Sequence, residues 1–183
     1  YDLAQLTKAH REFKAKLLLV EYFSVSDYLH LLIEICALLR PFKRKSLLYL
    51  AAAVSDFYLP ENQQSEHKIS SGPDGGVLNL SLFPVPKMIK ILKTLVCPEA
   101  FIVSFKLETK EELVLEKARE SLKNYNQDLV VANCLASRNN KVILVSPIDE
   151  DLEIIKTPEV FIEEQIVAEI TKRHEQAFNK IEK

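Results

Sequence analysis

The sequence is poor in glycine. Only three glycines occur among its 183 residues, and all of them lie between residues 72 and 76. The phosphate-binding loops G-x-G-x-x-G and G-x-x-x-x-G-K-[ST] need glycines at fixed spacings, so this chain contains neither loop. A nucleotide would have to be bound by other means, or by residues that lie outside this chain.

Cysteine and long apolar runs are also scarce. Cys36, Cys97 and Cys134 lie far apart and form neither a C-x-x-C pair nor a zinc-binding spacing. We therefore predict free thiols in the reducing cytoplasm and no metal site. The longest apolar run, Leu47–Val54, has eight residues, whereas a membrane helix needs about 20. The net charge of −2 provides no basic field for nucleic acid or an anionic membrane.

The remaining composition is that of an ordinary globular protein, with 48% hydrophobic and 27% charged residues. We predict a single domain over residues 1–183. Hydrophobic patterning predicts alternating helices and strands. The predicted strands are 17–22, 47–54, 77–83, 101–107, 129–133, 141–146 and 152–156. Strands separated by helices of 10–15 residues predict an α/β, Rossmann-like fold with a mostly parallel central sheet and helices on both faces.

Two helix starts have recognisable signals. Thr109 and Glu112 have the spacing of a capping box. Pro158, in Thr157-Pro158-Glu159, suits the first position of the last helix. These signals predict helices from 109 to about 125 and from 157 to the end of the chain.

The carboxyl ends of parallel strands are where open α/β sheets bind ligands. Three such ends are predicted at 52–56, 104–109 and 132–138. A long loop, 55–76, follows the first of them and contains all the glycines. Loops of this length are usually functional or mobile, so we predict a mobile flap beside a ligand site.

Polar residues near these strand ends each have a structural and a functional interpretation. Asp56 is either a loop-start cap or a hydrogen-bond acceptor for a ligand. Lys68 is either a solvated lysine or a mobile cation that neutralises phosphate when the loop closes. Asn133 is either a turn residue or a ligand contact. Lys106 and Glu108 are ordinary strand-end charges in the simpler interpretation.

Five segments in series resemble the eukaryotic phosphopantothenoylcysteine synthetases. They are AAAVSDFY at 51–58, EHKI at 66–69, PVPK at 84–87, SFKLET at 104–109 and VAN at 131–133. Their order and spacing match that family over nearly the whole chain.

The resemblance implies a ligase of coenzyme A synthesis. Such enzymes join 4′-phosphopantothenate to L-cysteine at the expense of a nucleoside triphosphate, which is ATP in the eukaryotic branch and CTP in bacterial relatives. The carboxylate attacks the α-phosphate, and the cysteine amine then displaces the nucleotide. The resemblance also implies Mg²⁺, a homodimer and a cytoplasmic location. Strand 77–83 is one candidate edge for the dimer contact.

The resemblance also assigns roles at the phosphopantothenate site. Ala52 and Ala53 resemble residues whose backbone contacts phosphopantothenate. Asp56 resembles the acceptor for the amide and hydroxyl groups of this substrate.

Three further roles concern the nucleotide. Phe105 resembles a residue that lines the nucleotide pocket, and Asn133 resembles a nucleotide contact at the next strand end. Lys68 matches a catalytic flap lysine that neutralises phosphates and stabilises the acyl-nucleotide.

The family also begins with a Gly-rich strand-to-helix segment that binds phosphates, followed by an Asn and an Arg with substrate roles. This chain does not contain them, and we expect that N-terminal part of the site to be missing from it. A non-catalytic, nucleotide- or ligand-binding homologue on the same scaffold is therefore an alternative. An unrelated Rossmann-like enzyme is disfavoured because the chain has no Gly-rich loop.

Overall fold

The computed structural model describes residues 3–65, 67, 69, 75 and 77–179. The chain forms two compact units, Tyr1–Leu32 and Ile33–Lys183. The helices are α1 (Leu3–Lys14), α2 (Val25–Leu39), α3 (Met88–Ile91), α4 (Glu111–Tyr125) and α5 (Ile162–Asn179). The strands are β1 (Leu47–Leu50), β2 (Phe57–Tyr58), β3 (Phe83–Pro84), β4 (Phe101–Glu108), β5 (Leu129–Cys134), β6 (Lys141–Val145) and β7 (Leu152–Ile155). A 3₁₀ helix covers Arg40–Lys45, a second one covers Glu61–Gln63, and a π-helix over Leu92–Val96 continues α3.

A five-stranded sheet in the order β1-β4-β5-β6-β7 organises the second unit. β1, β4 and β5 are parallel to one another, β6 is antiparallel to β5, and β7 is antiparallel to β6. Four of the five strands therefore run in the same direction, which confirms the predicted Rossmann-like fold with a mostly parallel sheet.

Helix α5 covers one face of this sheet. Ile162, Ile166 and Ile170 recur every four residues and are buried, as expected for the apolar stripe of an amphipathic helix. They pack in one core cluster with buried side chains of β4 to β7: Phe101, Val103, Leu129, Val131, Val142, Leu144 and Ile154.

Helix α4 covers the opposite face. Val114, Ala118 and Leu122 are buried and lie on one side of the helix. They pack against Val130, Ala132, Cys134 and Val145 of β5 and β6. Because both faces of the sheet are covered, β5 is apolar on both sides, which is typical of a central strand.

The first predicted strand of this sheet is shorter than expected. Residues 47–54 are apolar throughout, yet β1 pairs with β4 only from Leu47 to Leu50. Residues 51–55 are irregular and exposed. β4 continues to Glu108, beyond the last pair Leu50–Ser104, so β1 ends because residues 51–55 leave the sheet.

Two other strand predictions are wrong. Residues 17–22 form no strand, and Leu17, Leu18 and Leu19 are exposed. Of 77–83, only Phe83 enters a strand, in the short β2–β3 ladder. Alternating apolar residues favour a strand only where a neighbour supplies backbone hydrogen bonds, and composition does not reveal that neighbour.

The two predicted helix starts also differ from those observed. α4 is preceded by Lys110 in an extended conformation without a side-chain cap, so the capping box of Thr109 and Glu112 does not form. α5 begins at Ile162 instead of Thr157 because residues 158–160 form a bend. In both cases the apolar stripe that packs on the sheet, and not the capping signal, fixes the start of the helix.

Candidate active site

The carboxyl ends of β1, β4 and β5 lie side by side. β4 pairs with β1 as far as Leu50 and Ser104, and with β5 as far as Glu108 and Cys134. The residues that follow these three parallel strands therefore meet at one edge of the sheet, which we call the carboxyl edge. Open α/β sheets bind ligands at such an edge.

Both candidate nucleotide residues project from the same face of the sheet. Val131 of β5 packs in the core cluster under α5. Phe105 lies opposite Val131 in the register, and Asn133 lies two positions after it on β5. Because side chains alternate along a strand, Phe105 and Asn133 also project from the α5 face. Both are half-buried. The ring of Phe105 packs edge-on against Tyr49, with 5.0 Å between ring centroids and 77° between planes. The structure therefore places an aromatic pair and a side-chain amide on one face near the carboxyl edge.

Tyr49 was not singled out from the sequence. Burial raises the pKa of its hydroxyl, and the negative charge of Glu163 on α5 adds to this effect. The Tyr49 hydroxyl is therefore protonated at neutral pH and can donate a hydrogen bond. Its proximity to Phe105 depends on strand register, which no local pattern in the sequence reveals.

Ala52 and Ala53 lie in the irregular segment after β1, and both are exposed. The backbone turns through two short-range hydrogen bonds, in which Ala51 N–H donates to Tyr49 O at 3.2 Å and Val54 N–H donates to Ala52 O at 3.1 Å. Alanine carries no side chain beyond Cβ, so a ligand can approach the backbone closely at both predicted contacts.

Asp56 follows this segment and forms an ion pair across the chain. Lys87 Nζ lies 2.5 Å from Asp56 Oδ1. The backbone reinforces the contact, since Val85 N–H donates to Asp56 O at 2.9 Å. The adjacent two-residue ladder pairs Phe57 with Pro84. Asp56 is therefore held by one neighbouring segment, residues 83–87.

The electrostatics of this pair favour its ionised form. The hydrogen bond from Lys87, followed by the Lys87 charge, lowers the pKa of the Asp56 carboxyl, and the positive charge of Lys106 adds to the lowering. The same hydrogen bond raises the pKa of the Lys87 ammonium. Asp56 is therefore a carboxylate at neutral pH and accepts hydrogen bonds but does not donate them.

Lys106 and Glu108 pair with each other. Lys106 Nζ lies 3.0 Å from Glu108 Oε1. Lys106 lies opposite Ala132 in the β4–β5 register, so its side chain projects from the α4 face, away from Phe105 and Asn133. This arrangement agrees with the simpler interpretation of ordinary strand-end charges.

The predicted flap, 55–76, is described only in part. Its first half contains β2 and the 3₁₀ helix Glu61–Gln63. Lys68, the predicted catalytic lysine, lies outside the described residues.

A cavity of about 440 Å³ lies at the opposite end of the sheet, which we call the amino edge. Its lining includes Arg44, Phe101, Asp128, Asp149 and Arg173 and none of the predicted site residues. The charged groups there pair with one another: Arg44 Nη1 lies 2.5 Å from Asp128 Oδ1, and Arg173 Nη1 lies 3.9 Å from Asp149 Oδ2. The Arg44–Asp128 contact is close, whereas Arg173 Nη1 is buried and has no hydrogen-bond partner among the described residues.

Among the residues that the structure describes, no group of three or more His, Cys, Asp or Glu side chains could hold a metal ion. In the same part of the chain, no helix combines the length and the apolarity that a membrane crossing requires.

Comparison with known proteins gives consistent matches. Residues 19–174 match the family described as the DNA/pantothenate metabolism flavoprotein C-terminal domain. The phosphopantothenate–cysteine ligase of Mus musculus is 42% identical over 162 residues, covering 86% of this chain and 51% of that protein. The phosphopantothenate–cysteine ligase CAB2 of Saccharomyces cerevisiae is 38% identical over 190 residues, covering 93% and 52%.

A solved structure agrees with these matches. A Cab2 mutant in complex with phosphopantothenate-cysteine superimposes with a TM-score of 0.86 and 37% identity, over 98% of this chain and 60% of that one. This chain spans about half the length of the curated relatives it matches. The resemblance found from the sequence segments is therefore confirmed, and the chain belongs to the family of the DNA/pantothenate metabolism flavoprotein C-terminal domain.

Proposed function

We propose that this chain forms part of a phosphopantothenate–cysteine ligase of coenzyme A biosynthesis. The observation that carries the proposal is the carboxyl edge, where Phe105 and Asn133 lie in the carboxyl halves of β4 and β5, and Asp56 follows the irregular segment after the neighbouring strand β1. The similarity to ligases over most of this chain supports the same conclusion.

Phosphopantothenate is the substrate that we assign to the segment after β1. Ala52 and Ala53 expose backbone groups that can bond to an extended polar chain. Asp56 is a carboxylate with two acceptor oxygens, which suits the amide and hydroxyl groups of pantothenate. These groups bind and orient the substrate so that its own carboxylate can reach the nucleotide.

The reaction then proceeds in two balanced steps. The phosphopantothenate carboxylate attacks the α-phosphate of ATP, and pyrophosphate leaves. The cysteine amine attacks the resulting acyl carbon, AMP leaves, and the amine loses a proton as the amide forms. An acyl phosphate reacts readily with water, so the site must exclude solvent between the steps.

The nucleotide is assigned to the α5 face of the carboxyl edge. The Phe105 ring offers a surface for a base, and Asn133 offers both an amide donor and an acceptor. We propose ATP as the co-substrate because the relatives of mouse and yeast are eukaryotic, the branch that resembles this chain. A parallel assay with CTP tests this preference.

Magnesium would be held chiefly by the nucleotide. The described carboxylates at the carboxyl edge pair with lysines, Asp56 with Lys87 and Glu108 with Lys106, and they form no cluster for a metal. Mg²⁺ commonly binds substrate phosphates with few protein ligands. We therefore propose that Mg²⁺ enters with ATP and offsets the charge of its phosphates.

Lys68 is proposed as the catalytic residue of the flap. In the sequence, Lys68 lies within the long segment 55–76 that follows β1, which suits a cation that approaches the phosphates as the loop closes. There its ammonium would stabilise the charge that develops during attack on the α-phosphate.

We also propose a homodimer. Residues 77–83 alternate in sequence but carry exposed apolar side chains instead of pairing as a strand, including Val77 at 88% and Leu78 at 58% exposure. Several exposed apolar side chains in one short segment are a feature of surfaces that contact another chain. Sedimentation analysis should give twice the mass of one chain.

The proposed location is the cytoplasm. All three cysteines are free and buried. Thiols that remain unpaired fit a reducing compartment. Fractionation of the source cells would test this assignment.

Pyrophosphate release tests the function. The full-length protein is incubated with ATP and Mg²⁺, first alone, then with 4′-phosphopantothenate, and finally with cysteine. We expect pyrophosphate release that depends on phosphopantothenate, and AMP release once cysteine is added. Absence of pyrophosphate release from a full-length protein that contains a Gly-rich phosphate-binding segment would instead favour a non-catalytic homologue.

A further inference from the structure

Lys87 pairs with Asp56, but no function in substrate binding has been assigned to it so far. It lies in PVPK at 84–87, one of the segments that carry the resemblance. The structure places its ammonium 2.5 Å from Asp56 Oδ1, across 31 residues of sequence. The hydrogen bond from Val85 N–H to Asp56 O and the strand pairing of Phe57 with Pro84 hold the segment after β1 against residues 83–87. The contact therefore occurs between two backbone segments that are already fixed relative to each other.

Stability does not account for this ion pair. The side chains of Lys87 and Asp56 are 58% and 73% exposed. Exposed ion pairs contribute about 0–1 kcal/mol to folding. The stability gained from an ordered Lys87 at this position is therefore small, and the position of the pair in the proposed substrate site is the more informative observation.

The geometry leaves the carboxylate able to bind a ligand. Lys87 contacts Oδ1, and an ionised carboxylate also has Oδ2 and further lone pairs as acceptors. A charge-assisted contact on one oxygen favours the side-chain rotamers that keep that oxygen near Lys87, so the remaining acceptor sites have a preferred direction. A free aspartate on an irregular segment would sample several rotamers instead.

We propose that Lys87 is a positioning residue that fixes the Asp56 carboxylate in the orientation that accepts hydrogen bonds from the amide and hydroxyl groups of phosphopantothenate. This inference rests on the proposed function. It assigns Lys87 to recognition of the substrate and not to the transfer of the nucleotide. It differs from direct binding of the substrate by Lys87, because the effect passes through Asp56.

A double-mutant cycle separates these two roles. Lys87→Met, Asp56→Asn and the double variant are prepared in the full-length protein, with Lys87→Arg as the conservative control. The KM for phosphopantothenate, the KM for ATP and kcat are measured for each. Calorimetric titration with 4′-phosphopantothenate gives binding constants that do not require turnover.

A positioning role predicts a specific pattern. Lys87→Met should raise the KM and Kd for phosphopantothenate about three- to tenfold, the range expected for loss of one hydrogen-bonding arrangement. The KM for ATP and kcat should change less than about twofold. Lys87→Arg should restore most of the affinity. In the Asp56→Asn background, Lys87→Met should have almost no further effect, because its target is already altered.

Other outcomes overturn the inference. Additive effects of the two substitutions would show that Lys87 acts on the substrate by itself. An unchanged KM and Kd in Lys87→Met would show that the pair has no part in recognition. If the wild-type protein binds phosphopantothenate but releases no pyrophosphate, only the ligase function is contradicted. The double-mutant cycle, measured by Kd instead of KM, would then still test the role of Lys87. A wild-type protein that does not bind phosphopantothenate would overturn both.

Discussion

Each edge of the sheet has an aspartate that pairs with cationic side chains, but the two aspartates differ in burial and in the number of partners. At the amino edge, Asp128 accepts a hydrogen bond from Ile102 N–H at 2.8 Å and contacts Arg44 at 2.5 Å and Lys93 at 2.8 Å. The Asp128 side chain is 13% exposed. At the carboxyl edge, Asp56 has one cationic partner and is 73% exposed.

Burial decides what each carboxylate does. The partners of Asp128 tie the 3₁₀ helix before β1, the π-helix and the start of β4 to one group, so this cluster fixes the ends of three elements. The buried charges there satisfy one another and leave little for a ligand. The carboxylate of Asp56 lies on an irregular, exposed segment, where it contributes little to folding and stays accessible. The comparison indicates that the amino edge stabilises the fold and the carboxyl edge binds ligands.

The largest expected effect is a difference in the free energy of unfolding between substitutions at the two edges. Asp128→Asn should lower the free energy of unfolding by about 3 kcal/mol, because it leaves Arg44 and Lys93 poorly compensated and largely buried. Asp56→Asn is the matched control, and its cost should stay below about 1 kcal/mol. Urea denaturation of both variants measures these values. Equal losses would remove the distinction between the edges.

The next effect concerns turnover. Lys68→Ala should lower kcat about a hundredfold, as expected when a group that stabilises developing phosphate charge is removed. The free energy of unfolding should change by less than about 0.5 kcal/mol, as for other loop substitutions. Lys156→Ala, at an exposed lysine, is the control and should leave kcat unchanged. Normal turnover in Lys68→Ala would exclude the flap role.

A smaller effect is expected in substrate affinity. Asp56→Asn should raise the KM for phosphopantothenate about tenfold, because an amide cannot reproduce all the acceptor sites of a carboxylate. The KM for ATP should change much less. Steady-state kinetics with each substrate varied in turn measures both constants. Equal increases would indicate that Asp56 has a structural role.

The smallest effect is a dependence of stability on pH. The hydrogen bond from Lys87 lowers the pKa of Asp56 in the folded state. The pair therefore stabilises the protein fully at pH values above the ordinary aspartate pKa of about 3.9. This contribution is lost as the pH falls from there through the lowered pKa of the folded state. Exposure limits it to under about 1 kcal/mol. The difference in unfolding free energy between wild type and Lys87→Met should therefore shrink between about pH 6 and pH 3. A difference that grows on acidification would contradict this assignment.

Much of the sheet was predictable because its strands carry strong local patterns. β4 and β5 each begin with an apolar run, and the residues that pack on them from α4 and α5 repeat at helical spacing. The failures at 17–22 and 77–83 have a common cause, since both segments have strand-like composition and neither forms a full strand. Whether a segment pairs depends on its neighbours in space, which periodicity does not encode.

The site was predictable to a different extent. The position of Phe105 and Asn133 in the carboxyl halves of their strands follows from the order of the strands, which the alternating pattern predicts. Asp56 was expected directly after a strand, but β1 ends at Leu50 and the irregular residues 51–55 precede Asp56. Contacts between residues that are far apart in the sequence could not be predicted from the sequence. The Lys87–Asp56 pair spans 31 residues, and the Tyr49–Phe105 contact depends on the parallel register of β1 and β4.

The most direct test of the central claim is hydrogen–deuterium exchange of the full-length protein with and without 4′-phosphopantothenate. Backbone amides that a ligand covers exchange more slowly. We expect slower exchange in residues 51–58 at the carboxyl edge and no change in residues 126–129 at the amino edge. Protection of 126–129 without protection of 51–58 would contradict the assignment of the substrate site to the carboxyl edge.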